Sequence, residues 1–189
     1  VYASANTGSI TVHASADTST ADMVGTLFYL EQKAISDVLQ WEVDKAITLP
    51  ATRRSGGRNY KALNAANTGT ITPTHTEGAV YDGDTGVQWE FLDAGYGWAT
   101  ITGYTSSTQV SATVLSRIPD GAVGSGNAST KWALGAWSDS QGWPDCVGFY
   151  LDRLIWARGQ TVWMTVAGDY ENMQPRDAGR QLTDSAIAL

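Results

Sequence analysis

Cysteine occurs once in this 189-residue sequence, at Cys146, and histidine twice, at His13 and His75. A lone thiol cannot close an intrachain disulfide, so the chain is not a disulfide-stapled scaffold. Its length suits one large β domain or two small ones, either able to bury a core without staples. Two distant histidines bind a metal only if far segments converge, and there is neither a Cys pair nor a His-Glu-x-x-His helix. No metal and no cofactor is implied.

Charge is also sparse, with 12 basic against 19 acidic residues, 16% of the chain in all, and a net charge of −7. Contact with nucleic acid or an anionic membrane needs a positive field, which disfavours both as general partners. Apolar runs are short; the cleanest surrounds Leu27 to Leu30, far below a membrane span, and no charged-then-apolar leader opens the chain. Membrane insertion is therefore not expected. The chain starts at Val1 without an initiator Met and ends on Ile187-Ala188-Leu189, which suggests a piece of a longer protein.

What is present is glycine (20), threonine and aromatics, including eight Trp and eight Tyr. Short β-branched or aromatic stretches lie between Gly, Asn, Asp and Ser clusters, the signature of many short strands. Strands are expected over Ser9–Ala14, Val24–Leu30, Leu39–Thr48, Asn59–Asn64, Val87–Leu92, Ala99–Tyr104, Val110–Arg117, Cys146–Ala157 and Thr161–Val166. Period-two sets predict buried faces at Leu39, Trp41 and Val43; at Val87, Trp89 and Phe91; at Val110, Ala112 and Val114; and at Val162, Met164 and Val166. Burial on one face suits antiparallel sheets. Helix has little room, with weak patterns only over Glu31–Val38 and Asp177–Leu189.

The fold class is therefore all-β, built of short antiparallel strands. Residues 1–30 and 94–118 read as one barrel- or sandwich-like domain, and 31–93 as a small inserted β subdomain. The Gly/Ser-rich stretch 119–130 reads as a linker, and 131–189 as the opening of a further β body.

Motifs of catalysis are missing: no Gly-x-Ser-x-Gly elbow and no phosphate-binding Gly-Lys-Ser/Thr loop occurs. Paired carboxylates do occur, as Asp82 and Asp84 in Tyr-Asp-Gly-Asp-Thr-Gly and as Asp139 and Asp145. A glycan hydrolase would need two such groups across a cleft, whereas Asp-Gly-Asp-x-Gly suits a tight turn. Glu90 lies off the spacing that a calcium loop requires. Arg53, Arg54, Arg58 and Lys61 form the one basic cluster, read either as an anion contact or as a solvated loop before a strand. Asn127-Ala-Ser129 matches a glycosylation sequon, meaningful only in a secretory context.

The aromatics follow a frame: Trp41, a Gly-rich turn, Asn59-Tyr60-Lys61-Ala62-Leu63, then Thr-Gly-Thr-Ile-Thr-Pro-Thr, Asp-Gly, and Trp89. Flat rings stack on sugars, yet Trp at alternating strand positions also builds cores, so Trp41, Tyr60 and Trp89 stand as either a glycan platform or a buried cluster. Residues 41–89 resemble small chitin-binding-type β modules, which implies the platform role for those three residues.

A wider resemblance runs through Asn59 to Gly78, then Gly95-Tyr-Gly-Trp-Ala-Thr-Ile-Thr102. Above all it involves Leu134-Gly-Ala-Trp-Ser-Asp-Ser-Gln-Gly-Trp-Pro-Asp-Cys-Val-Gly-Phe-Tyr-Leu-Asp-Arg-Leu-Ile-Trp-Ala157 and Gln160 to Met173. These segments resemble tail proteins of double-stranded DNA phages, of the nozzle or hub type with an inserted β domain. The resemblance implies a propeller-like body opening in the C-terminal third and a non-catalytic structural role in the virion tail, soluble before assembly. Its partners would be further copies of the chain, neighbouring tail proteins and a host surface glycan. A carbohydrate-binding module is the alternative, and a tail-associated glycan hydrolase the third reading.

Overall fold

A computed structural model describes residues 1–173 and, as backbone, residues 187–188. Unit 1 opens with strands β1 (Tyr2–Ala3), β2 (Ser9–His13) and β3 (Leu27–Glu31), followed by β4 (Thr52–Ser55), β5 (Arg58–Ala62), β6 (Ala79–Tyr81) and β7 (Gln88–Asp93). It closes with β8 (Tyr96–Ser106), β9 (Gln109–Ser116) and β10 (Trp132–Leu134). Unit 2 holds β11 (Cys146–Tyr150), β12 (Arg153–Arg158), β13 (Thr161–Met164) and β14 (Ile187–Ala188). The protein is all-β, and the helical pieces among the described residues are three-residue 3-10 turns.

Six strands form a curled sheet in the order β1-β2-β9-β8-β3-β10, antiparallel throughout. Alternation sends Ile10, Val12, Phe28, Leu30, Ala99, Ile101, Val110 and Ala112 to the concave core, with Ile118 and Ala122 closing it. The curl has a local cause. Strand β8 slips register against β9 at Trp98/Ala99, Ile101/Gly103 and Tyr104/Ser106, and each irregularity adds twist. Gly97 sits at a close crossing of the chain, since a Cβ there would lie 2.4 Å from the Arg117 carbonyl oxygen.

The chain leaves this sheet after β3 and returns at β8, β3's neighbour, so residues between them form an excursion. Within it, β4-β5-β7-β6 make a second antiparallel sheet. The β4–β5 hairpin turns on Gly56 and Gly57, whose φ values of 55° and 79° demand glycine for a two-residue turn. The Arg53/Arg54 pair therefore lies on a strand, not in the solvated loop expected.

Residues 39–48 do not form the predicted strand. Gln40 and Ala46 make isolated bridges, Leu39 and Val43 are exposed, and Asp44 turns the backbone with φ 53°. Alternation misleads here because Trp41 is held individually by a distant partner. Likewise the expected helix over Glu31–Val38 is reduced to one turn at Ile35–Asp37. The helix expected over Asp177–Leu189 lies outside the described residues, apart from Ile187–Ala188, which is strand.

The Gly/Ser-rich stretch 119–130 is not a linker. Pro119 and Ala122 are fully buried, Gly124 N–H donates to the Ala3 carbonyl (2.9 Å) and Ser129 N–H to that of Val1 (2.8 Å), and β10 then pairs with β3. Small residues here let the chain close over the curled sheet. The division between units falls after Gly135.

Unit 2 is an up-and-down meander, β11-β12-β13-β14, the arrangement of a single propeller blade. The segment expected as one strand, Cys146–Ala157, is a hairpin whose turn residues Leu151 and Asp152 take φ values of 46° and 59°. Gly168 N–H donates to the Asp152 carbonyl (2.7 Å) and Tyr170 Oη to the Asp152 carboxylate (2.9 Å), which holds this turn without glycine. In β13 the buried residue is Trp163, followed by Thr165, so the inner face is opposite to the predicted Val162/Met164/Val166 set. The Trp137 ring decides the face by packing on Trp156 and Trp163 at 5.0 and 5.7 Å.

Candidate functional site

The three residues expected to form a sugar platform do come together, but inside the excursion. Tyr60 and Trp89 are fully buried and Trp41 is 8% exposed, in one cluster with Ile47, Ala62 and Val87. Stacking on a sugar needs a ring face open to solvent. None of the three offers one.

What unites them is Asp82, itself buried. Its Oδ2 accepts the indole N–H of Trp41 (2.9 Å) and of Trp89 (2.7 Å), while Oδ1 accepts the backbone N–H of Gly69 (2.9 Å) and of Val87 (2.7 Å). Four donors satisfy the carboxylate, the condition under which a buried charge is tolerated. The glycines of the frame make room for it: a Cβ on Gly86 would lie 2.0 Å from Asp82 Oδ1, and one on Gly69 would lie 1.9 Å from the Asp82 carbonyl oxygen. The recurrent frame in the sequence is thus a structural pin. Asp82 was read there as a turn former, and it closes the turn to Val87; its hold on two indoles had no local signal.

Tyr60 completes the core from the other side. Its hydroxyl donates to the His75 carbonyl (2.8 Å), and His75 Nε2 pairs with the Trp89 carbonyl (3.0 Å). Burial raises the Tyr60 pKa, against a smaller opposing pull from Arg58. His13 stacks on Tyr2 at 4.8 Å, far along the chain from this pair. Among the described residues no group of three or more His, Cys, Asp or Glu could hold a metal ion.

A second polar cluster joins the excursion to the curled sheet. Asp93, at the end of β7, accepts from Asn59 Nδ2 (2.6 Å), Gly95 N–H (3.0 Å) and Arg117 Nη1 (2.5 Å); Arg117 also pairs with Asp120 at 2.7 Å. Asn59 Nδ2 also reaches Gln32 Oε1 (3.1 Å), just after β3. Burial raises the Asp93 pKa above the ordinary carboxylate value, against opposing hydrogen bonds from Asn59 and Gly95 and the charge of Arg117. Arg54 is likewise committed internally, its Nε to the Val38 carbonyl (2.9 Å) and its Nη1 to Gln40 (2.7 Å). Both clusters hold the chain together.

The apolar pocket within the curled sheet is lined by residues such as Val12, Met23, Phe28, Ile101 and Trp132, with no carboxylate, imidazole or thiol. Of the other acidic pair, Asp139 accepts the Trp143 indole N–H (3.2 Å) on the surface of unit 2.

Unit 2 carries an exposed apolar surface. All five residues of β11 are exposed, Val147 at 65%, Phe149 at 71% and Tyr150 at 61%, and the turn adds Leu151 at 73%. Trp143 stands out just before the strand. Contiguous apolar exposure of this kind is uncommon on a monomer's surface. It lies on an edge strand, because β11 pairs only with β12 among the described residues. Sequence reading took the segment as one long strand and so missed both the turn and the edge.

No protein-family model and no curated protein sequence matches this chain.

Proposed function

We propose that this chain is a non-catalytic structural component of a phage tail, which assembles with other tail subunits and meets the host surface. The observation that carries the reading is the exposed, uncharged apolar edge β11 in unit 2. An isolated protein gains nothing from such an edge, whereas an assembled one completes its sheet through it. The segment with the strongest resemblance to tail proteins, residues 134–172, is the segment that supplies this edge. The side chains offered by sequence as a sugar platform are occupied in the excursion's core, so glycan recognition through Trp41, Tyr60 and Trp89 is not part of the proposal.

The test is immunogold electron microscopy of virions that contain the protein by mass spectrometry, with antibody raised against the chain. Label on the tail is the expected result. Virions that contain the protein and show label elsewhere, with tails bare, overturn the proposal.

A further inference from the structure

Among the described residues several strand edges are open, and most carry a device against association. Strands β1 and β10 are only two and three residues long, and β6 is three. Strand β4 bears Arg53 and Arg54 and is covered on its outer side, where Trp41 N–H donates to the Arg54 carbonyl and Arg54 N–H to that of Leu39, each at 2.9 Å. Short edges, charge and cover are the usual means of blunting an edge. Among the described residues, strand β11 has none of them: five residues, no charge, no proline.

Its backbone geometry is set by the turn. A two-residue turn with positive φ at both positions closes on a hydrogen-bonded pair, here Tyr150 and Arg153. Alternation then directs the N–H and C=O of Tyr150, Gly148 and Cys146 toward β12, and those of Val147 and Phe149 toward the open edge. At the start of the strand the alternation breaks, since the Asp145 N–H also donates to the Ala157 carbonyl (2.9 Å) beside the Cys146/Ala157 pair. The open edge therefore offers two residues' worth of strand hydrogen bonds, flanked by large apolar side chains.

We propose that β11 pairs antiparallel with β11 of a second copy of this chain, with Gly148 opposite Gly148. This rests on the reading of unit 2 as an assembly surface, and names its partner. In that register Val147 and Phe149 exchange their outward hydrogen bonds with Phe149 and Val147 of the second copy, the pairing that their backbone parity requires. Each β-branched side chain meets an aromatic one, a favourable cross-strand pair, and the glycines meet at the crowded centre. Cys146 lies opposite Tyr150. The acidic neighbours also fit: Asp145 falls opposite Leu151 and Asp152 opposite Pro144, so no carboxylate faces another despite the chain's net charge of −7. A two-fold axis through Gly148 stands perpendicular to the sheet, so the faces bearing Val147, Phe149 and Trp156 lie on one side of a continuous double sheet.

Sedimentation equilibrium on the intact chain reads the assembly directly, and the expected mass is twice 20.2 kDa. Val147→Pro removes one outward N–H while sparing the β12 ladder, and Phe149→Lys adds a charge on the seam; each is expected to weaken dimerisation about tenfold or more. Circular dichroism and Trp fluorescence establish that each variant is folded. For the register, Gly148→Cys in a Cys146→Ser background is expected to form an intermolecular disulfide on oxidation. Val147→Cys in the same background is not, because position 147 faces position 149. A monomer at every concentration, a dimer indifferent to both Val147→Pro and Phe149→Lys, or equal cross-linking from positions 147 and 148 overturns the pairing. A monomer in solution from a protein that labels virion tails overturns this pairing alone. A Gly148-registered dimer absent from labelled tails overturns the tail reading alone.

Discussion

The excursion of unit 1 and the meander of unit 2 draw on the same residue types, Trp, Tyr and Phe in short strands between glycines, and use them in opposite ways. In the excursion, Trp41 and Trp89 point inward to one carboxylate, and Tyr60 closes the core with its hydroxyl on a carbonyl. In unit 2, Trp163 is buried beneath Trp137, while Phe149, Tyr150 and Trp143 face outward. A buried indole usually pairs its N–H with an acceptor. Asp82 supplies that acceptor in the excursion; the unit 2 Trp143 finds Asp139 at the surface instead. The same residue types thus serve a carboxylate-pinned core in one region and an exposed strand in the other.

The sharpest way to break the contrast is to remove the pin. Asp82→Ala leaves two indole and two backbone N–H groups without their acceptor, and is expected to cost about 3–5 kcal/mol, enough to unfold the excursion. Urea denaturation followed by Trp fluorescence measures it, and a loss below about 1 kcal/mol would show the pin to be dispensable. Trp89→Phe keeps most of the ring volume and deletes one donor, so a smaller loss of about 1–3 kcal/mol is expected in the same assay.

The junction carboxylate sharpens the contrast through pH. Burial raises the Asp93 pKa from its unfolded value of 3.8, so between that value and the raised one the folded state binds more protons than the unfolded. The contribution of Asp93 to stability therefore falls as pH rises through this window and is recovered on acidification. Stability curves of the parent and of Asp93→Asn, measured by thermal melts across the acid range, are expected to differ in slope there, with the variant flatter. Parallel curves would remove Asp93 as the source.

Smallest of all is the effect expected on folding from the exposed edge. Phe149→Ser loses a solvent-facing ring and an edge-on contact with Tyr170 at 5.4 Å. Its expected cost is within about 0.5 kcal/mol at protein concentrations where the chain is monomeric. A loss as large as that of Trp89→Phe would show that Phe149 belongs to a core and erase the distinction between the two regions.

Several parts of this architecture were legible from residue order. The period-two sets Val87/Trp89/Phe91 and Val110/Ala112/Val114 lie on buried or half-buried faces, because each belongs to a strand with one face on a core. A strand was expected over Ala99–Tyr104, and β8 spans Tyr96–Ser106. Residues 39–48 were misread because Trp41 is buried by a bond to a residue 41 positions away, and an apolar–polar alternation cannot report that. The face of β13 was misread because Trp137, outside the strand, chooses it. The Gly/Ser composition of 119–130 resembled a linker, but its small residues serve close packing over β1 and β3.

Composition and periodicity by themselves determined the all-β class and the short antiparallel strands. Those are local properties, fixed by backbone preference and by the alternation of side chains on a pleat. Which aromatic rings lie inside, where the two units divide and which edge stays open were decided only in the tertiary structure. Each depends on a partner far along the chain: a carboxylate for the indoles, β3 for β10, and the glycine-free turn at Leu151-Asp152 that leaves β11 outermost.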